Sequence, residues 1–361
     1  MTIRRALLVA FLIALLVRAA VYLVHVRSGD HNWPAAFHRF DSYWYERIAT
    51  TGYPDVDDRR DLGWTDSTGS HQSEWAFFPL YPMLARAVAE LTGASIPQAM
   101  EVLSWVFALA ALVSFKGFAR RLLPPHEAGL ALMAFALFPF AVFLHVHYAE
   151  ALFLFVLLTV FNCLIDDRRW QAALLLAILV LVRPNGLFVL PVAVLFLVEQ
   201  RRSVWRTSGI LLMFVPTALA FSAYCYFQYV HTGEAFAFSL AQAGWGRDLS
   251  WPWTGFFKSG DLATQIESIY TIALVVLALV VRKRMPLSYN VLLWTNILVP
   301  LCSGSVDSIT RFTLVLFPLF LLAGSWLATI PMRWRIALGC AGLALQLVCA
   351  WLWATGHPLM A

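Results

Sequence analysis

Charge is scarce in this chain of 361 residues: Asp, Glu, Lys and Arg supply only 13% of it, against about 25% in a soluble globular domain. With a hydrophobic share of 60% and a mean hydropathy of +0.71, that shortage excludes a soluble globular protein. Cysteine is sparse too. The five cysteines (Cys163, Cys225, Cys302, Cys340 and Cys349) are odd in number, show no CxxC spacing and sit in or beside apolar stretches. Neither a disulfide framework nor a zinc site is expected from them. No Gly-rich phosphate loop, internal repeat, low-complexity tract or soluble domain is evident. The net charge of +5 comes from short basic loops and not from a basic face, which excludes a nucleic-acid partner.

Apolar runs take the place of these features, at 6–26, 98–119, 126–146, 149–165, 171–182, 185–198, 208–230, 266–281, 288–302, 312–330 and 336–353. Most approach the roughly 20 residues that a helix needs to cross about 30 Å of hydrocarbon. The chain reads as one all-α polytopic membrane domain over 1–361. Of the 26 Lys and Arg, 15 lie in six short segments: Arg4/Arg5, Lys116/Arg120/Arg121, Arg168/Arg169, Arg201/Arg202/Arg206, Arg282/Lys283/Arg284 and Arg333/Arg335. The positive-inside rule puts all six in the cytoplasm. The stretch between Arg169 and Arg201 must then cross twice, or dip in and return. Its middle, Val182-Arg183-Pro184-Asn185-Gly186, breaks a helix, and each half spans only about 18–21 Å. Two short broken helices or a re-entrant hairpin result, giving eleven membrane segments with the N-terminus inside and the C-terminus outside. The first run is expected to stay as a helix and not to be cleaved as a signal peptide, because Arg18 interrupts it and no small-x-small site comes after it.

Acidic residues carry the complementary signal. Ten of the 21 Asp and Glu fall in the long first loop, 27–96, which this topology places outside. There Phe40 to Ala49 mixes aromatic and polar residues as an interfacial helix does, and 54–73 reads as a surface loop. A second large outer loop covers 231–265. Ionisable groups near the membrane are functional candidates by default, and here they gather on one side. They are Asp41 and Glu74 in the first loop; His145, His147, Tyr148 and Glu150 in a short outer turn; and Arg183 and Asn185 at the helix break. Gln242, Trp245, Arg247 and Asp248 lie in the second loop, with Asp307 and Arg311 ahead of a late helix. Arginines beside carboxylates over an apolar bundle suit a lipid phosphate and a polar acceptor. Each also has a plainer reading. Asp41 could pair with Arg39, Arg183-Pro-Asn-Gly could cap a helix, and Arg311 could mark the interface. His145-x-His147 does not present two ligands on one helix face. Asp41 and Glu74 admit a divalent metal, but nothing fixes a coordination set. Arg18 is expected to snorkel or pair internally.

The order of motifs resembles that of a known family. Arg39-Phe40-Asp41-x3-Tyr45-x2-Ile48-Ala49-x2-Gly52-Tyr53 and Ala76-Phe77-Phe78-Pro79-Leu80-Tyr81-Pro82 are similar to the first-loop signature of the PIG-V family, the GPI mannosyltransferase II enzymes and their bacterial relatives. Tyr148-Ala149-Glu150-Ala151-Leu152-Phe153, Arg183-Pro184-Asn185-Gly186 and Gln242-x2-Trp245-x-Arg247 extend the similarity over about 39–320. Where the family's pattern has Arg-Trp-Asp, this chain has Arg39-Phe40-Asp41. The resemblance implies a GT-C-like bundle of about eleven transmembrane or re-entrant helices. It implies a mannosyltransferase that takes its sugar from a polyprenyl- or dolichyl-phosphate donor, in a bacterial inner membrane with the site facing the periplasm.

On that reading Asp41 is the base that takes the acceptor hydroxyl's proton. Arg183, Arg311 and His147 hold the donor phosphate. Glu74, Tyr148, Glu150, Asn185, Gln242, Trp245 and Arg247 surround the sugar or the acceptor, which the sequence leaves unidentified. A phosphate leaving group is already anionic, so no second catalytic acid is required. Two other classes also fit the composition. One is a lipid or solute transporter or flippase, in which a site at mid-bilayer between repeated halves is common. The other is a non-catalytic subunit of a lipid–glycan assembly complex.

Overall fold

A computed structural model describes residues 3–57, 62–66, 69–200, 207–257 and 261–360. The first apolar run forms α1 (Ile3–Val26), which ends where Arg27–Asp30 turns polar. The first loop then builds two helices, α2 (Ser42–Thr51) and α3 (Leu80–Thr92), the second closed by Gly93 in the left-handed region. Between them a two-stranded antiparallel hairpin, β1 (Trp64–Asp66) and β2 (Gly69–His71), occupies part of what the sequence presents as surface loop. Ser95 and Gln98 form a capping box at the start of α4 (Ile96–Leu122).

Prolines punctuate the middle of the chain. After α5 (Pro125–Ala136), Pro139 opens a 3-10 turn, Pro139–Leu144, and α6 (Glu150–Ile165) then returns. The broken element is α7 (Arg169–Leu179), a 3-10 turn Pro184–Phe188, and α8 (Val189–Glu199). Gly186 sits where any Cβ would come within 2.5 Å of the Leu179 carbonyl oxygen, so only glycine lets the turn fold back on α7. The remaining helices are α9 (Thr207–Thr232), α10 (Ala237–Leu240), α11 (Leu262–Val281), α12 (Leu287–Leu301), α13 (Ile309–Phe312), α14 (Phe317–Thr329) and α15 (Met332–Thr355).

All eleven apolar runs are helical, but they are not eleven equal spans. Among the described residues five helices are long and apolar enough to cross a membrane: those starting in α1, α4, α9, α11 and α15. A sixth is reached if α13 and α14, bent by 73°, count as one. The others, α5, α6, α7, α8 and α12, run only 11 to 16 residues. Helix α4 packs on α6, α6 on α7, α7 on α9, α5 on α14, and α1 on α15, around one apolar core. Leu8, Leu12, Leu174, Leu219, Ile269 and Trp351, exposed on this bundle, make the outer surface apolar, as an integral membrane protein requires.

The described basic segments lie at or near helix ends. Arg121, at the end of α4, bonds Asn162 at 2.5 Å and Asp166 at 2.9 Å near the end of α6, and Arg169 meets Asp167 at 2.8 Å. The Arg201/Arg202/Arg206 segment lies outside the described residues.

Candidate functional site

The loops read as facing one compartment come together around a cavity of about 910 Å³. The first loop, the break after α7, the segment joining α10 to α11, and the start of α13 each contribute to its wall. Asp41 enters it from the N-cap position of α2, yet its side chain makes no capping hydrogen bond. An N-cap aspartate ordinarily contributes about 0.5–2 kcal/mol to its helix. Here the carboxylate turns to Arg311 of α13, whose Nη1 donates to Oδ2 at 2.5 Å.

Arg311 also approaches Glu150, at the first turn of α6, with Nε 3.2 Å from Oε1. The same Glu150 pairs with Arg183, the residue before the Pro184 turn. Asp41, Arg311, Glu150 and Arg183 therefore form one alternating chain of charges, with the Glu150 Oε2 atom buried and unpartnered. Tyr148 and Phe312 lie against the Arg311 guanidinium, 5.1 Å and 5.5 Å from ring centre to carbon. The Tyr148 hydroxyl accepts from the Asp41 backbone N–H at 3.4 Å.

Backbone strain flanks this pair. Phe40 and Ser308 have φ of +50° and +66°, two of three positive-φ non-glycine residues among those described. Such conformations persist where surrounding structure holds them, and they cluster at functional sites. Phe40 aims Asp41; Ser308 opens the turn that carries Arg311.

A second wall comes from the 3-10 turn Ala241–Trp245, ended by Gly246 at φ +64°. That left-handed step turns Arg247 back onto its own loop. Its Nη1 donates to Gln242 Oε1 at 3.2 Å, and Nη2 to the Asp307 carbonyl at 3.2 Å and the Ser308 hydroxyl at 3.4 Å. Burial, and then the nearby Arg311 charge, lowers the Arg247 pKa from its ordinary value. Trp245 meets Trp44 and Phe77 edge-on at 5.7 Å and 5.6 Å, while Trp44 and Phe77 stack on each other. Asn185 donates to Asn296 of α12 at 3.1 Å, bracing the break. Glu267 of α11 accepts from the Ser308 N–H at 2.9 Å and the Thr310 hydroxyl at 3.1 Å.

Of the residues singled out from sequence, Asp41, Arg183, Asn185, Gln242, Trp245, Arg247, Asp307 and Arg311 line the cavity. Tyr148 and Glu150 stand behind the arginines. Glu74 lies one step back, 2.6 Å from Arg47, which does line the cavity. His147 is elsewhere. Its Nε2 lies 3.1 Å from Glu101, which also takes Arg18 at 2.6 Å, inside a separate buried cluster. The expected grouping of His147 with Arg183 and Arg311 thus does not form, because the short turn before α6 points Tyr148 and His147 to different sides. Among the described residues no group of three or more His, Cys, Asp or Glu is placed to hold a metal ion. Glu267, Asn296 and Arg47 were not singled out from sequence. An acid in the apolar run 266–281 and an amide in 288–302 were the available signals for the first two.

No protein-family model matches the sequence, and no curated protein does either. Solved structures do match. ArnT from Cupriavidus metallidurans, bound to undecaprenyl phosphate, superposes with a TM-score of 0.58 at 17% identity, over 95% of this chain and 63% of that one. The oligosaccharyltransferase of Archaeoglobus fulgidus in complex with Zn and sulfate gives 0.53 at 13% identity, over 99% and 53%. Its apo form gives 0.50 at 12%, over 96% and 56%. The chain spans less than two thirds of each of these proteins. At such identities the likeness establishes the fold: this is an integral membrane protein with a GT-C-like helical bundle.

Proposed function

We propose that this chain is a glycosyltransferase. It moves a sugar from a polyprenyl- or dolichyl-phosphate donor to an acceptor hydroxyl at the extracytoplasmic face, with inversion at the anomeric carbon. The observation that carries the reading is the meeting of Asp41, Arg311, Arg183 and Arg247 around one cavity built from loops at one end of the bundle. Asp41 accepts the proton of the attacking hydroxyl, a contribution of about 10²–10⁴ in rate. The arginines stabilise charge growing on the departing lipid phosphate, for which a guanidinium offers a two-pronged fork. Gln242, Trp245 and Asn185 surround the sugar or the acceptor, and Glu150 and Tyr148 orient Arg311. The undecaprenyl phosphate bound to ArnT, a protein of similar fold, supports the donor class. The first-loop motifs shared with the PIG-V family favour mannose and a bacterial inner membrane with the site facing the periplasm.

The test is mass spectrometry of products after purified protein is incubated with a panel of polyprenyl-phosphate sugars and an extract of membrane glycans and lipids. A new glycosylated product, formed with at least one donor, is expected. Absence of any product, together with sugar-carrier lipid moving between leaflets of reconstituted vesicles, would assign the chain to the flippase class instead.

A further inference from the structure

Four arginines line the cavity, and they differ in what already neutralises them. Arg311 is held by Asp41 and Glu150, Arg183 by Glu150, and Arg47 by Glu74. Arg247 is held only by neutral oxygens: a side-chain amide, a backbone carbonyl and a hydroxyl. Among the described residues no carboxylate lies within 4.0 Å of its guanidinium. A cation removed from water without a directly paired counter-charge is costly, and burial lowers the pKa of Arg247. Arg247 is close enough to Arg311 for their charges to repel, and to Asp41, Asp307 and Glu267 for theirs to attract at longer range. An anion seated between the two guanidiniums would relieve that repulsion.

We infer, resting on the transferase reading, that Arg247 is the docking cation for the donor's phosphate and that Arg311 is a latch. In this structure Arg311 ties up Asp41. A donor phosphodiester on Arg247 offers Arg311 a second anion with two free oxygens, and moving to it leaves the Asp41 carboxylate free for the acceptor hydroxyl. Donor binding then precedes and enables acceptor activation. No bond is made or broken in this step; one hydrogen-bonded ion pair replaces another.

The experiment uses the full-length protein in nanodiscs and undecaprenyl phosphate carrying no sugar, with binding read by native mass spectrometry. Arg247→Gln is expected to weaken binding roughly 10- to 100-fold, the range of one or two charge-assisted hydrogen bonds. Arg247→Lys keeps the charge without the fork and should recover part of the loss. Asp41→Asn, which lowers turnover about 10²–10⁴-fold on the same reading, should bind the lipid phosphate more tightly than wild type, because Arg311 is released. In an Arg311→Ala background that gain should vanish. Unchanged affinity in Arg247→Gln would overturn the docking assignment, and unchanged or weaker affinity in Asp41→Asn would overturn the latch. Inorganic phosphate serves as the second arm. Binding as tight as that of the lipid would mark a site for a soluble phosphate and overturn the lipid assignment. Wild-type protein that binds neither probe refutes the transferase reading itself, an outcome distinct from a failure of the variants.

Discussion

Arg18 and Arg311 both meet carboxylates inside the bundle, but in opposite circumstances. Arg18 is 0% exposed and its partner Glu101 is 6% exposed. Glu101 gathers donors from four segments: Arg18 of α1 at 2.6 Å, Trp33 at 2.7 Å, Trp105 at 3.0 Å and His147 at 3.1 Å. The guanidinium lies between the rings of Phe37 and Trp105, at 4.9 Å and 4.2 Å. Both oxygens of that carboxylate are partnered, it does not line the 910 Å³ cavity, and only Arg18 Nε and Nη2 are left without a hydrogen-bond partner in the pair. Around Arg311 the carboxylates are under-used: one Glu150 oxygen has no partner, and Asp41 faces open volume. A buried carboxylate with both oxygens partnered serves to fix neighbouring segments, whereas one with an oxygen left over near a cavity is poised to exchange partners. The two clusters touch the same loop. The Phe37 carbonyl accepts from the His147 backbone N–H at 3.3 Å, and Asp41 comes four residues later.

The contrast breaks most sharply at Asp41. Asp41→Asn keeps the size of the side chain and should lower turnover by about 10²–10⁴; near-normal turnover with a polyprenyl-phosphate sugar would remove Asp41 from the chemistry. Next come the two arginines. Arg18→Ala strands the Glu101 charge in the core and should cost about 3–5 kcal/mol of stability, read as a fall in the detergent unfolding midpoint. Arg311→Ala leaves Arg183 on Glu150 and Asp41 beside open volume. It should lose turnover and donor use while the unfolding midpoint falls less than in Arg18→Ala. A reversed order of stabilities would dissolve the distinction between the clusters.

Gly186→Ala tests how the break places Arg183. A methyl group there would meet the backbone of Leu179 and Val180 at 2.5–3.0 Å, so about 1–3 kcal/mol of destabilisation is expected, with lower donor use. The smallest effect concerns His38. Burial, with the nearby His147, pushes its pKa from the ordinary 6.5 down to about 4. Its Nε2 lies 2.9 Å from Glu46 without hydrogen-bond alignment. The unfolded chain therefore takes up a proton that the folded one refuses, and stability should fall as pH drops from about 6.5 towards 4. His38→Gln should flatten that part of a melting-temperature profile.

The bundle and its broken element were legible because they derive from hydropathy and proline, which act locally. Arg183-Pro184-Asn185-Gly186 announces a break whatever surrounds it. The gathering of residues from several loops at one cavity was legible from charge asymmetry, since the acidic loops were set apart from the basic ones. Pairings within a side were not. Nothing in the spacing of Glu101, His147 and Arg18 says that they meet, because the contact joins three separate segments. Nor does it say that Asp41 forgoes capping α2 for an arginine 270 residues away. Unequal helix length was legible at 171–182 and 185–198, but not at 126–146, 149–165 and 288–302, whose helices also fall short of a crossing.

Those short elements carry a consequence for the surrounding lipid. Helices of 11 residues such as α7 and α8 are about 17 Å long, against about 36 Å for the 24 residues of α1 or α15. Trp170, Leu174 and Ile178 of α7 are exposed along that flank. Acyl chains meeting α7 must shorten or splay to match it, whereas those meeting α1 need not. A bilayer that thins to match α7 brings its headgroups nearer the level of Arg183 on that side of the molecule, and an amphiphile drifting in the plane of such a membrane arrives with little need to be lifted out of it.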